Sequence, residues 1–137
     1  DMSDIRYLAE SKEYKLYSLF ESVYIKNKTT CNSLTEFEEA DRRIAWVYGD
    51  PDSALITSDG LYVVIAGCGI TIYNINTTEC VDLFQDPEEI EWTEGIYQSA
   101  EDSEIYVRFN VLAETDKLAI KRLNILTHAL ETLSNDL

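Results

Sequence analysis

The sequence has little proline or glycine and no long hydrophobic run. Two of its 137 residues are proline and 5 are glycine, which excludes collagen-like, linker-like and disordered classes. No apolar stretch reaches the roughly 18 residues of a membrane-spanning helix. Cysteine is scarce too: Cys31, Cys68 and Cys80 form no Cys-x-x-Cys pair. We expect three reduced, mostly buried thiols, with one disulfide and a free thiol as the alternative.

Basic residues are few, and one long segment of the chain contains none. Lys and Arg number 11 against 26 Asp and Glu, giving a formal net charge of -15. Segment 44–107 has no Lys, Arg or His and carries 13 acidic residues. This balance argues against DNA or RNA as a direct ligand, because phosphate binding depends on Lys and Arg.

The sequence contains no recognised motif that is characteristic of a particular reaction. The phosphate-binding glycine patterns and the EF-hand loop do not occur, and the single histidine, His128, lies in a predicted turn. Cys68 has no neighbouring positive charge in sequence to lower its pKa, so 67–69 is interpreted as a tight turn. We therefore predict no enzyme activity, no cofactor and no metal. A small hydrolase that uses paired carboxylates remains an alternative.

The first part of the chain, residues 3–41, is predicted to be mainly helical. Five apolar residues recur at the three-and-four spacing of one helix face: Leu16, Leu19, Phe20, Val23 and Tyr24. Further on, Ser33 and Glu36 have the spacing of a capping box, which predicts a second, short helix.

Residues 42–133 are predicted to form an antiparallel sheet. Short runs rich in strand-forming residues alternate with turn signals such as Asp59-Gly60. The runs are 44–48, 54–57, 61–66, 70–75, 79–84, 95–98, 104–112, 117–126 and 129–133. The predicted fold class is therefore α+β: N-terminal helices followed by an antiparallel β-meander, within a single domain over residues 3–137.

A weak internal repeat runs through the predicted sheet. Segment 73–77 resembles 123–127, and 61–63 resembles 105–107. Each copy is typical of a strand-turn-strand-turn-strand cassette, as in a propeller blade, although two unrelated hairpins can be equally alike. Closure of a propeller needs about four blades or more, and the chain has room for two or three. We expect two cassettes in one twisted sheet or small sandwich, with helices on one face.

The densest acidic stretch contains two aromatic residues. Eight carboxylates fall within residues 86–104, where they serve either as a solvated face or as a surface for a basic partner. Trp92 within this stretch favours the second interpretation, since aromatic residues in a charged rim are typical of interface hot spots; alternatively, Ile90 and Trp92 point inward from a half-buried strand. The predicted partner-binding residues are Asp86, Glu88, Glu89, Glu91, Trp92, Glu94, Tyr97, Glu101, Asp102 and Glu104.

In size, acidity and lack of catalytic motifs, the chain resembles the immunity proteins that bacteria pair with secreted nuclease toxins, including those of contact-dependent growth inhibition. The resemblance concerns the whole chain and implies no particular fold. It implies an antitoxin function: binding a basic protein toxin, often over its active site. Residues 3–15 lack the apolar core of a signal peptide, so a cytoplasmic protein that binds no membrane is expected. A non-inhibitory, propeller-like interaction module is the other alternative.

Overall fold

A computed structural model describes residues 5–86, 91–112 and 118–134 of the chain. These residues form twelve strands in three antiparallel sheets, each of four strands in chain order. The first sheet contains β1 (Ile5–Glu10), β2 (Tyr14–Leu19), β3 (Ser22–Asn27) and β4 (Arg42–Trp46). The second contains β5 (Ser53–Ile56), β6 (Tyr62–Gly67), β7 (Gly69–Asn74) and β8 (Cys80–Leu83). The third contains β9 (Thr93–Tyr97), β10 (Tyr106–Leu112), β11 (Leu118–Asn124) and β12 (Leu130–Ser134).

The predicted α+β class is wrong, because the described part of residues 3–41 contains three strands and no helix. Leu16 and Val23 lie on the buried face of the β2–β3 hairpin. Phe20 is instead in the two-residue turn, with φ of 54° and 66% of its surface exposed. The spacing that fitted a helix face therefore arises from two paired strands and the turn between them.

The predicted second helix is also absent, and its residues cross the outer face of the first sheet as an irregular strap, here residues 32–41. Ser33 does accept a hydrogen bond from the Glu36 amide, at 3.2 Å, but no helix follows. Phe37 packs edge-on against Tyr24 of β3, with the ring centroids 5.4 Å apart. Beneath the strap, the buried Lys26 ammonium lies 2.7 Å from Glu38 and 3.0 Å from Asp41.

The second sheet lies between the other two and is buried on both faces. Val63 and Ile65 of β6 belong to the core shared with the first sheet. Val64 and Ala66 alternate with them and belong to the core shared with the third sheet. A strand with two buried faces reads as a continuous apolar run rather than as an alternating one, which accounts for the unbroken run 61–66.

The three sheets stack like successive blades of a propeller, which corrects the expected single sheet or sandwich with helices on one face. Strand β5 is in contact with both β1 and β9, the first strands of the other two sheets. From residue 42 onward, each predicted run overlaps one strand, in the same order along the chain. The predicted tight turn at 67–69 joins β6 to β7. Antiparallel sheet formation after residue 42 is thus confirmed for the residues that the structure describes, whereas the grouping of the strands into sheets differs.

The predicted internal repeat corresponds to one turn that follows the third strand of a sheet. The Asn74 side-chain oxygen accepts hydrogen bonds from the amides of residues 76 and 77, at 2.9 and 3.0 Å. Asn124 accepts equivalent bonds, also at 2.9 and 3.0 Å. A third copy was missed by sequence analysis: Asn27 accepts from the Thr29 amide after β3. The repeat therefore extends to all three sheets.

Two further expectations concern thiols and membranes. The three cysteines are free thiols, with Cys80 exposed and the other two partly buried. Among the residues that the structure describes, no helix has the length and hydrophobicity to cross a membrane.

Candidate functional site

The connections between the three sheets lie together at one end of the sheets, and we call this end the connector face. It comprises the turn 20–21, the connection 47–52, the turn at Cys68 and the described residues of the connection 84–92. Because neighbouring strands are antiparallel, these segments all lie at the end where β1, β5 and β9 begin. A bond of 2.9 Å from the Gly95 amide to the Asp52 carboxylate links the connection 47–52 to β9, the strand that follows the connection 84–92.

Trp92 is fixed on the connector face by its neighbours in sequence. The buried Thr93 hydroxyl accepts from the Gly67 amide, at 3.0 Å, and donates to the Gly69 carbonyl, at 2.8 Å. Trp92 itself forms an isolated bridge with Cys68. Its ring covers Gly49, where a Cβ atom would lie 3.1 Å from the indole. Gly49 has φ of 75°, so both conformation and space favour glycine here.

Trp92 belongs to an exposed aromatic cluster, which we define as Trp46, Tyr48 and Trp92. The Tyr48 ring lies 6.2 Å from Trp46 and 6.4 Å from Trp92, measured between ring centroids. The exposed fractions are 57%, 61% and 48% in chain order. Large aromatic side chains exposed together are typical of binding surfaces rather than of ordinary solvated faces. The expectation that Trp92 is exposed is therefore favoured over the inward-pointing alternative.

A cleft of about 380 Å³ opens beside the aromatic cluster. Trp92 and Thr93 line it, as does segment 49–52, whose Pro51 and Asp52 carbonyl oxygens face the guanidinium of Arg6. Its carboxylates come from Asp50, Asp52 and Glu94. Within the described residues, the Asp50 and Glu94 carboxylates have no hydrogen-bond or ion-pair partner, and both residues are exposed.

Arg6 of β1 is the basic residue among those lining the cleft. Its guanidinium donates to the carbonyl oxygens of Pro51 and Asp52 rather than to a carboxylate. Among the residues that the structure describes, the cleft therefore has three carboxylates and one guanidinium, and their net charge is negative like that of the whole chain.

The structure divides the predicted partner-binding residues between the two ends of β9. Glu91 and Trp92 lie on the connector face, and Glu94 lines the cleft beside it. Glu91 is half-buried, and its Oε1 lies 3.9 Å from the Lys121 ammonium. Asp86 is an exposed residue of the same connection. Glu88 and Glu89 lie outside the described residues.

The remaining four predicted residues lie at the opposite end of β9. Tyr97, Glu101 and Glu104 are exposed there. The Asp102 side chain is only 1% exposed and accepts from Arg108 and Arg122, at 2.8 Å each. These guanidinium groups, Arg108 first, lower the pKa of Asp102 to about 2 despite its burial. Asp102 is thus occupied in an internal ion cluster, and we do not retain it as a contact residue.

Five residues of the site were missed by sequence reasoning: Arg6, Trp46, Tyr48, Asp50 and Asp52. The two aspartates lie outside the acidic stretch 86–104, on which the predicted contacts were based. Trp46 and Tyr48 sit in a run that correctly predicted a strand, where local pattern does not tell whether an aromatic end residue is buried. Arg6 lies in a segment predicted as helix. A usable signal existed for Trp92 and Glu94, namely their position within an acidic stretch.

The described residues contain no group of three or more His, Cys, Asp and Glu side chains placed to hold a metal ion. His128 is exposed in the β11–β12 turn, as predicted. In comparisons with known proteins, no family model matches the chain, and no curated protein is significantly similar to it.

Proposed function

We propose that this protein binds a cationic protein through its connector face and inhibits it. The observation that carries the proposal is the aromatic cluster, exposed beside a cleft whose Asp50 and Glu94 carboxylates are unpaired within the described residues. Aromatic side chains supply apolar contact area, and carboxylates select for a basic partner.

The charge of the whole chain supports the same partner. A net charge of -15 on 137 residues attracts basic proteins over distances near the Debye length, about 8 Å at physiological salt. It repels nucleic acid, whose phosphates carry the same sign. A basic nuclease is a natural target, since its own active site attracts polyanions. The proposed role is thus a non-catalytic immunity protein acting in the cytoplasm.

The test uses purified nuclease toxin domains of high pI, with basic proteins lacking nuclease activity for comparison. We expect the chain to bind at least one toxin class and to suppress its hydrolysis of DNA or RNA. The variant Trp46→Ala/Tyr48→Ala/Trp92→Ala should lose most of this affinity, because it removes the apolar contacts and leaves the charge unchanged.

A matched control removes apolar surface elsewhere. Leu34→Ala/Leu126→Ala changes two exposed leucines away from the connector face and should leave binding intact. Equal losses in both variants would contradict the proposed surface. Binding that leaves the toxin fully active would instead support the non-inhibitory interaction module.

A further inference from the structure

The cleft beside Trp92 combines features that suit one kind of side chain. An exposed indole, the Asp50 and Glu94 carboxylates and a backbone wall line a space of about 380 Å³. That volume is at the small end of the range of ligand pockets, roughly 300–1,000 Å³. It accommodates one long side chain more readily than a large ligand.

The chain's own guanidinium shows what the cleft wall accepts. Arg6 donates to two successive carbonyl oxygens, those of Pro51 and Asp52. A planar donor group therefore already fits against this wall. Because Arg6 uses carbonyl oxygens, the charges of Asp50 and Glu94 remain available to a second cation.

We infer that the cleft seats one arginine side chain of the cationic partner, with its guanidinium against Trp92 and its N–H groups donated to Asp50 and Glu94. This inference rests on the proposed function and names the chemistry of the contact. Arginine is favoured over lysine because its guanidinium is planar, weakly hydrated and able to stack on an aromatic ring while donating in its own plane.

The experiment titrates the protein with capped Gly-Arg-Gly and follows it by NMR. The chain has two tryptophans, so two indole N–H signals are expected, and a Trp46→Phe variant assigns them. Matched peptides carry lysine or the neutral isostere citrulline. We expect the arginine peptide to shift the Trp92 indole and the Glu94 amide signals, binding about fivefold more tightly than the lysine peptide. The citrulline peptide should cause no shift.

Charge-neutral variants locate the contact. Asp50→Asn/Glu94→Gln removes both carboxylate charges and should weaken binding of the arginine peptide at least about tenfold. Asparagine tolerates positive φ, as required at residue 50, where φ is 70°. The control Glu79→Gln/Glu104→Gln removes the same charge at the opposite end of the sheets, from two exposed residues, and should leave the shifts unchanged.

The outcomes separate this inference from the proposed function. Equal binding of arginine and lysine peptides would overturn the arginine seat, whereas binding of a basic protein through the aromatic cluster would still stand. The same holds if a basic toxin binds Asp50→Asn/Glu94→Gln as tightly as the unchanged chain. A shift of the Trp92 signals by a neutral oligosaccharide, with none from any cationic peptide or protein, would overturn both.

Discussion

At the scale of single residues, Lys26 is the strongest test of how the strap is held. Its side chain is 1% exposed and contacts the Glu38 and Asp41 carboxylates. Burial alone would lower the pKa of Lys26, but these two acids outweigh it and raise that pKa. Asp41 also accepts a hydrogen bond from Tyr17. The ammonium is therefore the positive centre of a small buried polar network.

We expect Lys26→Met to lower the free energy of unfolding by about 3–5 kcal/mol, because it leaves the Asp41 carboxylate buried without its cation. Urea unfolding measures this loss. The double variant Lys26→Met/Asp41→Asn should regain part of it, since the more deeply buried of the two carboxylates is then neutral and only Glu38, whose side chain is 19% exposed, has lost its cation. A loss below about 1 kcal/mol, typical of a surface ion pair, would contradict the structure of the strap.

Asp102 gives the second residue-scale prediction, and its sign follows from its pKa. The pKa falls from an ordinary 3.8 to about 2 in the folded chain. A lowered pKa stabilises the fold at pH values above the unfolded pKa, and the contribution disappears as the pH falls from about 4 to about 2.

We expect Asp102→Asn to destabilise the fold by about 2 kcal/mol at neutral pH, because charge-assisted hydrogen bonds are worth roughly 1.5–3 kcal/mol. The difference from the unchanged chain should shrink through pH 4 to 2, as followed by urea unfolding at each pH. A difference that stays constant with pH would mean that the lost contribution is packing rather than charge.

At the scale of elements, the repeated asparagine turn has a strained position that differs between copies. Thr78 and His128 both have positive φ, 64° and 66°. A non-glycine residue pays roughly 1–2 kcal/mol for this conformation, and a β-branched one is the more unusual. Glycine costs roughly 0.5–1 kcal/mol in entropy when it is fixed.

Thr78→Gly is therefore expected to raise the free energy of unfolding by about 0.5–1 kcal/mol. His128→Gly should give a smaller gain, because histidine tolerates this region better. Thermal unfolding of the two variants under one buffer tests the order. If His128→Gly stabilised the chain more, the strain attributed to the branched side chain would be wrong.

The connections between strands explain which elements could be predicted from the sequence. Each connection from β4 to β8 lies between apolar runs and contains or adjoins glycine or asparagine, and these turn signals placed the strands well. The β2–β3 hairpin has Phe20-Glu21 as its turn, without Gly, Asn or Asp. The buried Ser18 also interrupts the apolar alternation of β2. The segment contains no local turn signal that contradicts a helix. Its strand structure is determined by pairing with neighbouring strands, which local sequence does not reveal.

At the scale of the whole molecule, the candidate site depends on packing between sheets. Tyr48 and Trp92 meet because the second sheet separates and aligns the other two, and sequence alone gives no measure of that alignment. Acidity, by contrast, was readable from composition. Composition does not show, however, which carboxylates are exposed charges. Asp102 lies within an acidic stretch and is nevertheless neutralised by arginines distant in sequence.

Net charge predicts an effect of salt on the free chain. At -15, its carboxylates repel one another, and this repulsion is screened as the Debye length falls from about 30 Å at 0.01 M to about 8 Å at 0.15 M. We expect the melting temperature to rise over this range by a few degrees (about 1 kcal/mol). A fall would mean that internal ion pairs, which salt also weakens, dominate the electrostatics of folding.

Salt should act in the opposite direction on association with a basic partner. Steering by the whole charge distribution raises association rates by about ten- to a thousandfold, so stopped-flow measurements should show the rate falling steeply between about 0.02 and 0.3 M salt. Trp46→Ala/Tyr48→Ala/Trp92→Ala keeps every charge, so we expect it to retain this slope and to speed dissociation instead, because short-range contacts mainly set the dissociation rate. An association rate that does not change with salt concentration would exclude charge as the source of partner selection, whatever the aromatic cluster contributes.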